Sequence, residues 1–227
     1  MEERYQRNIP ALSEEECHLL RKKTVAVIGC GGLGGYALEM LSRIGVGTIR
    51  AVDGDVFEPS NLNRQLLSSP GQLGISKAEA AAERIRNINP EVTVCAIPVF
   101  IDKHNCRELI HGCDVVMDAL DSIESRRILS EACNQLGIPY IYGAIQGWVG
   151  QVCVILPGDR TMKQLYPEGT VVKDNSVLSF TPALCASVQV AQCIKLLTGR
   201  FTGTKGIFFF DLLNQEFETI PMDNDNQ

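Results

Sequence analysis

The sequence predicts an α/β fold: a mostly parallel sheet flanked by helices, with antiparallel strands added toward the C-terminus. Three observations predict it. Thr24-Val-Ala-Val-Ile28 is a continuous apolar run ending in glycines, as a strand buried on both faces does. Residues 24–53 read strand–helix–strand over the length that a parallel crossover needs. Residues 206–212 and 216–220, joined around Asn214, read as a closing hairpin.

The elements follow in order. Ser13-Glu14-Glu15-Glu16 forms a capping box, opening a helix to about Lys22. Leu33 to Ile44 has helical spacing and stops at Gly45; Thr48 to Val52 is the second strand. The stretch 58–76 carries Pro59, Pro70, Gly71 and Gly74 and reads as a long loop or short helical turns. Lys77 to Asn87 is a helix, Val92 to Val99 a strand, Lys103 to Ile110 a helix and Val115 to Ala119 a fourth strand. Ser125 to Leu136 is a helix stopped by Gly137. Pro139 to Tyr142 and Gly150 to Ile155 are further strands around a loop holding Trp148. Thr181 caps a helix with Pro182 at its first position, running to about Leu197 before Gly199.

Composition narrows the function. With 21 basic and 27 acidic residues the net charge is −6, which argues against general nucleic-acid binding. No run approaches the roughly 20 apolar residues of a membrane span, and Met1-Glu2-Glu3-Arg4 does not open a signal peptide, so a cytoplasmic, membrane-free protein is expected. Nine cysteines, an odd count without any Cys-x-x-Cys, argue against a disulfide framework and a paired-cysteine zinc site.

The chemistry begins at Gly29-Cys30-Gly31-Gly32-Leu33-Gly34, a G-x-G-x-x-G nucleotide pattern lying between a strand and a helix. Such glycines let the backbone approach a phosphate, and the helix N-terminus favours negative charge. Asp53 ends the second strand, where a carboxylate hydrogen-bonds ribose hydroxyls. These features alone favour a dinucleotide enzyme, the plain alternative being a glycine turn without ligand. The following segment changes the reading. Asp55, Asn61, Arg64 and Gln65 form a polar stretch ending in donors, and Lys77 opens the next helix. Hydride transfer needs no such cluster, whereas a triphosphate does. Singly, Arg64 and Lys77 also read as solvated surface. Asp118-Ala-Leu-Asp121 ends the fourth strand at the same carboxyl edge. A carboxylate there suits Mg²⁺ bridging phosphates, and a helix cap is the other reading of Asp121.

The ordered set Arg4-Tyr5-Gln6-Arg7, Gly29–Gly34, Asp53-x-Asp55, Ser60-Asn61-Leu62-Asn63-Arg64-Gln65, Gly74-x-Ser76-Lys77-Ala78 and Asp118 through Arg126 resembles the ThiF/MoeB/HesA family, bacterial relatives of ubiquitin-activating enzymes. The helix ending Ile194-Lys195-Leu196-Leu197-Thr198-Gly199 fits as well. The resemblance covers almost the whole chain. It implies one Rossmann-like domain over 1–227, with a helical arm (1–23), a nucleotide-binding core (24–221) and a frayed tail (222–227). It implies ATP-dependent adenylation of the C-terminal glycine of a ubiquitin-like sulfur-carrier protein ending in Gly-Gly, with ATP and Mg²⁺ as cofactors. Asp53 would hold the ribose, with Asp55 beside it. Asn61, Arg64, Gln65 and Lys77 would surround the phosphates carried by Gly29, Gly31, Gly32 and Gly34, and Asp121 would hold Mg²⁺. Arg7 would reach the phosphates of a partner subunit in a homodimer, an ordinary surface arginine being the alternative. The incoming carboxylate is already a nucleophile, so no general base is needed.

The sequence also departs from the family. Many relatives carry two Cys-x-x-Cys pairs for zinc, but Pro157 to Gly169 holds no cysteine, no pair stands near the C-terminus, and no zinc is expected. Val172 lies near the position of a reactive cysteine in some relatives, which puts thioester or persulfide transfer in doubt. Cys30 stands at a helix N-terminus, which lowers a thiol pKa, yet filling a tight turn is the favoured role; Cys153, Cys185 and Cys193 read as core. His18, His104 and His111 read as solvated surface. Gln146 to Gln151 resembles the family's crossover bordering the acceptor groove, and Phe208-Phe209-Phe210 suits a partner-binding edge, core or dimer burial. Competing readings are adenylation of a tRNA-borne or small-molecule carboxylate, an NAD-dependent oxidoreductase, and a non-catalytic nucleotide-binding partner.

Overall fold

A computed structural model of the chain describes residues 2–167, 169–170, 176–203 and 206–222; Val172 and the tail beyond Met222 lie outside them. In chain order come a 3-10 helix (Glu3–Asn8), α1 (Glu14–Leu20), β1 (Thr24–Ile28), α2 (Gly32–Ile44), β2 (Thr48–Val52), α3 (Lys77–Ile88), β3 (Thr93–Ile97), α4 (Cys106–Ile110), β4 (Val115–Asp118) and α5 (Ile123–Leu136). Then follow β5 (Tyr140–Gln146), β6 (Val149–Ile155), α6 (Thr161–Leu165), α7 (Phe180–Thr198), β7 (Gly206–Asp211) and β8 (Glu216–Pro221). One sheet runs β3-β2-β1-β4-β5-β6-β7-β8. β1 to β5 pair in parallel, and the pairs from β5 onward are antiparallel. This is the predicted α/β architecture.

The apolar run at β1 is explained by two cores. Val25 and Val27 face a core shared with α2, α3 and α7; Ala26 and Ile28 face one shared with α4 and α5. A strand covered on both faces has no solvent side, so the alternation of polar and apolar residues disappears. By length and composition α7 alone, among the described residues, could cross a membrane, which amends the expectation that no segment comes close. Here α7 is a core helix packed on α2, β5 and β6, burying Cys185, Val190 and Cys193.

Local rules place most boundaries, and tertiary contacts move the rest. The Ser13–Glu16 box forms, with the Glu16 amide donating to Ser13 Oγ and the Ser13 amide to Glu16 Oε2. The stretch 58–76 contains two short 3-10 turns, Pro59–Asn61 and Pro70–Gln72. Thr181 is not the cap of α7: Ser179 stands there, while Thr181 is wholly buried and its hydroxyl donates to the Gly147 carbonyl at 2.7 Å. α4 starts late because Asp102 Oδ1 accepts the His104 and Asn105 amides, favouring a turn over helix. β5 extends to Gln146 because every residue of it pairs with β6.

Two further contacts position the site. Tyr5 is buried beside Gly45, its hydroxyl accepting from Asn89 Nδ2 at 2.7 Å, which pins the N-terminal 3-10 helix to the far end of α2. Gln189 on α7 donates through Nε2 to the carbonyls of Asp118 (2.7 Å), one residue past the last pair of β4 with β5, and of Ile141 (3.3 Å), the last residue of β5 in that pairing.

Candidate active site

The strand order reverses between β1 and β4, so the loops leaving these neighbouring strands part and open a crevice. A cavity of about 790 Å³ lies there. Gly29, Gly31 and Gly32 follow β1 into it, Asp53 and Asp55 follow β2, and Lys77 enters from the first turn of α3. Arg64, Gln65 and Asp121 complete the polar wall. Gly34 is not part of that wall. A Cβ on it would stand 1.8 Å from the Gly29 carbonyl oxygen, and Gly29 itself has φ +99° with a Cβ position 2.5 Å from the Ala119 oxygen. These two glycines therefore fold the loop, while Gly31 and Gly32 face the ligand space.

Asp53 is tied to the loop. Its Oδ2 accepts the Cys30 amide at 2.7 Å and its Oδ1 the Asp55 amide at 2.8 Å. Burial pushes its pKa up, and those two amides oppose the shift. The Lys77 side chain is only 8% exposed, with its ammonium 3.1 Å from Asp55 Oδ2. A buried lysine needs such a partner, and the pair holds a positive charge at the wall of the cavity.

Arg64 donates from Nη1 to the Ser60 carbonyl and to Asn63 Oδ1, both at 2.9 Å; among the described residues Nε and Nη2 carry no hydrogen bond and remain available to an anion. Gln65 is buried, and its Oε1 has no partner among the described residues. A buried orphan acceptor at a cavity wall marks a place where ligand or water completes the bonding. Asn61 does not line the cavity. Its Oδ1 accepts the Glu58 amide at 3.0 Å, so it shapes the turn that presents Arg64 and Gln65.

Two carboxylates leave β4 with opposite fates. Asp118 is fully buried; its Oδ1 accepts the Leu120 amide and its Oδ2 the Tyr140 hydroxyl, with Arg126 Nη1 at 3.5 Å. Burial pushes its pKa up, and Arg126 only partly offsets that. Arg126 also donates to the Leu120 carbonyl and, at 3.3 Å, to the Tyr166 hydroxyl, with its guanidinium 5.0 Å from the Tyr142 ring centroid. Leu120 is thus held at both its amide and its carbonyl, which fixes the turn that exposes Asp121. Asp121 does not cap α5, because Ser122 accepts the Ser125 amide there. Among the described residues no hydrogen bond or ion pair occupies the Asp121 carboxylate.

The opposite end of the cavity is lined by Gln146, Gln151, Tyr166 and Phe209. The 146–151 crossover therefore borders the groove as its pattern suggested. Gln151 donates to the Tyr142 hydroxyl, which lies 2.7 Å from that of Tyr166. Of the three phenylalanines, Phe210 is core, and Phe209 faces the cavity. Arg126, Tyr166 and Phe100 line the cavity without having been singled out for a role. Arg126 stands in the Asp118–Arg126 motif, whereas no sequence pattern marks Tyr166 or Phe100.

Arg7 is exposed on the N-terminal 3-10 helix and does not line the cavity of its own chain. Cys30 is buried beneath the loop, and burial, then the Asp53 carboxylate, push its thiol well above the ordinary range, which removes the activation a helix N-terminus suggests. Cys153, Cys185 and Cys193 are buried, with Cys185 pushed up to about 12 by burial first of all. His18, His104 and His111 are exposed.

A model of the ThiF family matches residues 5–227. The chain belongs to the ThiF family. It is 36% identical over 228 residues to a SAMP-activating enzyme E1 of Haloferax volcanii, covering 96% of this chain and 84% of that protein. It is 33% identical to a sulfur carrier protein adenylyltransferase of Thermus thermophilus, covering 97% and 87%. It spans only 51% of the longer adenylyltransferase and sulfurtransferase MOCS3 of Xenopus laevis, at 30% identity. Among solved structures, MccB of E. coli with ATP superposes with a TM-score of 0.83 over all of this chain and 73% of that one; at 20% identity the likeness is one of fold. Its named ThiF relatives are adenylyltransferases and activating enzymes, and this ThiF chain is an enzyme of that class.

Proposed function

We propose that this chain uses ATP to adenylate the C-terminal glycine carboxylate of a ubiquitin-like sulfur-carrier protein. The observation that carries the reading is the convergence of Lys77, Arg64, the Gly31–Gly32 loop and the uncommitted Asp121 carboxylate on one cavity that continues to the polar Gln146–Gln151 crossover. Relatives acting on sulfur carriers support the choice of substrate. A carboxylate oxygen of the carrier attacks the α-phosphorus, the bond to the bridging oxygen of the β-phosphate breaks, and pyrophosphate leaves. No proton is moved. Lys77 and Arg64 neutralise charge on the phosphates, and the loop amides approach them without side chains in the way. Mg²⁺ fits the donor set, because Mg²⁺ takes one or two carboxylates and fills its shell with water and phosphate oxygens. Asp121 would hold it, and the ion would supply further charge neutralisation.

Arg7 is exposed and does not line its own cavity, so its part in the reaction requires a second copy of the chain, and the reading includes a homodimer. Exchange of labelled pyrophosphate into ATP tests the proposal. Exchange that depends on a carrier ending in Gly-Gly, and falls at least about a hundredfold in Arg64→Ala and Asp121→Ala, is the expected result. Carrier-independent exchange, or tight NADH binding with no response to ATP, overturns it. If Arg7 acts across the interface, mixed dimers of Arg7→Ala and Asp121→Ala subunits recover part of the activity.

A further inference from the structure

Tyr166 is gripped from α5 at two points. Arg127 donates from Nη2 to its carbonyl at 2.8 Å, and Arg126 donates from Nη1 to its hydroxyl at 3.3 Å. The Tyr142 hydroxyl stands 2.7 Å from that of Tyr166, and Gln151 Nε2 donates to the Tyr142 oxygen at 2.7 Å. The protons set the direction of this run of hydrogen bonds. Tyr142 is wholly buried, and burial pushes its phenol up, so it keeps its proton. A buried hydroxyl needs an acceptor, and among the described residues the Tyr166 oxygen is the one within reach. That oxygen then takes one hydrogen bond from Tyr142 and one from Arg126, which occupies it as an acceptor. The Tyr166 proton itself has no acceptor among the described residues, and Tyr166 stands half-buried in the cavity wall. Gln151 lines the same wall, and among the described residues its Oε1 carries no hydrogen bond. The network therefore offers the cavity one donor and one acceptor, both neutral and both tied to Tyr142.

We infer that Tyr166 and Gln151 position the incoming glycine tail of the carrier, the Tyr166 hydroxyl donating to a backbone carbonyl and Gln151 Oε1 accepting an N–H of the same residue. This rests on the adenylation reading and deepens it. A Gly-Gly tail has no side chains, so selecting it falls to its backbone and its shape. In an extended chain the N–H and C=O of one residue point to the same side, which is how facing residues of an antiparallel pair exchange two hydrogen bonds. A phosphate has acceptors alone and leaves Gln151 Oε1 unmet, and the Arg126 charge is already taken by Asp118. A nucleobase carries donors and acceptors too, but on the adenylation reading the ribose sits at Asp53, just after β2. Gln151 is on β6, four strand spacings across the sheet, which is roughly 19 Å at about 4.8 Å per strand. That is farther than a base reaches from its own ribose. A tail entering from this end passes Tyr166 on its way to the α-phosphate.

Tyr166→Phe in the full chain, assayed by carrier-dependent pyrophosphate exchange, tests the pairing. The probe is a ubiquitin-like sulfur carrier ending in Gly-Gly that sustains exchange by the wild-type chain. The KM for the carrier should rise about tenfold, the worth of one hydrogen bond, while kcat stays within about twofold and ATP affinity by calorimetry does not change. Tyr142→Phe separates positioning from architecture. It removes the central hydroxyl but keeps the Tyr166 proton and Gln151 Oε1, so the carrier KM should move less than in Tyr166→Phe, with thermal melting reporting the packing cost of each. An unchanged carrier KM in Tyr166→Phe, an equal or larger rise in Tyr142→Phe, or weaker ATP binding in Tyr166→Phe overturns the inference while leaving the adenylation reading standing. A wild-type chain that shows no exchange with any such carrier ends that reading, and the inference with it.

Discussion

The two ends of the cavity are built by different means. At the Lys77 end most ties are to the backbone: Asp53 takes the Cys30 and Asp55 amides, Arg64 bonds the Ser60 carbonyl and the Asn63 side chain beside it, and Lys77 pairs with Asp55. At the other end side chains bond side chains, Arg126 to Tyr166 and Tyr142 to Tyr166 and Gln151. Backbone geometry and short turns make the first end, and a buried polar network makes the second. The first therefore depends on glycines and the second on charge and hydroxyl partners. Asp118 joins them, since its ion pair belongs to the network and its amide contact shapes the turn that displays Asp121.

Breaking that junction should have the largest effect. Arg126→Ala leaves the Asp118 carboxylate buried without its cation, and removing one partner of such a pair costs about 3–5 kcal/mol. Urea unfolding measures it. The sign of the pH dependence follows from Asp118, whose folded pKa is already raised by burial. Without Arg126 it rises further, so the ionised form is the destabilised one. The loss should be greatest near neutrality and shrink as pH falls through the folded pKa. A loss independent of pH would mean that Arg126 acts through packing alone.

Next comes the glycine loop. Gly34→Ala places a Cβ against the Gly29 oxygen and should cost about 1–3 kcal/mol. Gly32→Ala meets nothing closer than Pro182 Cβ at 3.7 Å, so its stability should stay within about 0.5 kcal/mol of wild type while nucleotide affinity drops. Equal behaviour of the two would erase the division between loop-shaping and ligand-facing glycines. The smallest effect belongs to Tyr166→Phe. It removes one hydroxyl from the network at about 1 kcal/mol and should leave ATP binding untouched, which thermal melting and calorimetry separate.

The same contrast explains what the sequence made legible. The Lys77 end is written in short motifs, because G-x-G-x-x-G and the Asn61–Gln65 stretch each lie in one contiguous segment, and Asp53, 23 residues from the Cys30 amide it accepts, is marked by its place at the end of a strand. Even so, Asn61 shows how a motif residue can serve the turn rather than the ligand. The capping of α1 was readable for the same reason, as both halves of its box sit within four residues. Thr181 misled because its pattern, a hydroxyl before proline, competes with a contact to Gly147 that only the folded chain creates. Tyr166 and Phe100 carry no local signal at all: one is a tyrosine after a short helix, the other a phenylalanine after a strand, and only the sheet order brings them to the crevice.

Parallel neighbours normally keep zipping until one of them ends, and β4 and β5 stop after Met117 and Ile141. At that point the Asp118 and Ile141 carbonyls are held by the Gln189 amide reaching through from α7, and Gly143 leaves room for it, since a Cβ there would lie 2.3 Å from Gln189 Nε2. The helix thus drives a polar wedge into the fork between the strands. The fork between the strands is thus filled from within the fold, with no ligand needed to hold the two carbonyls apart.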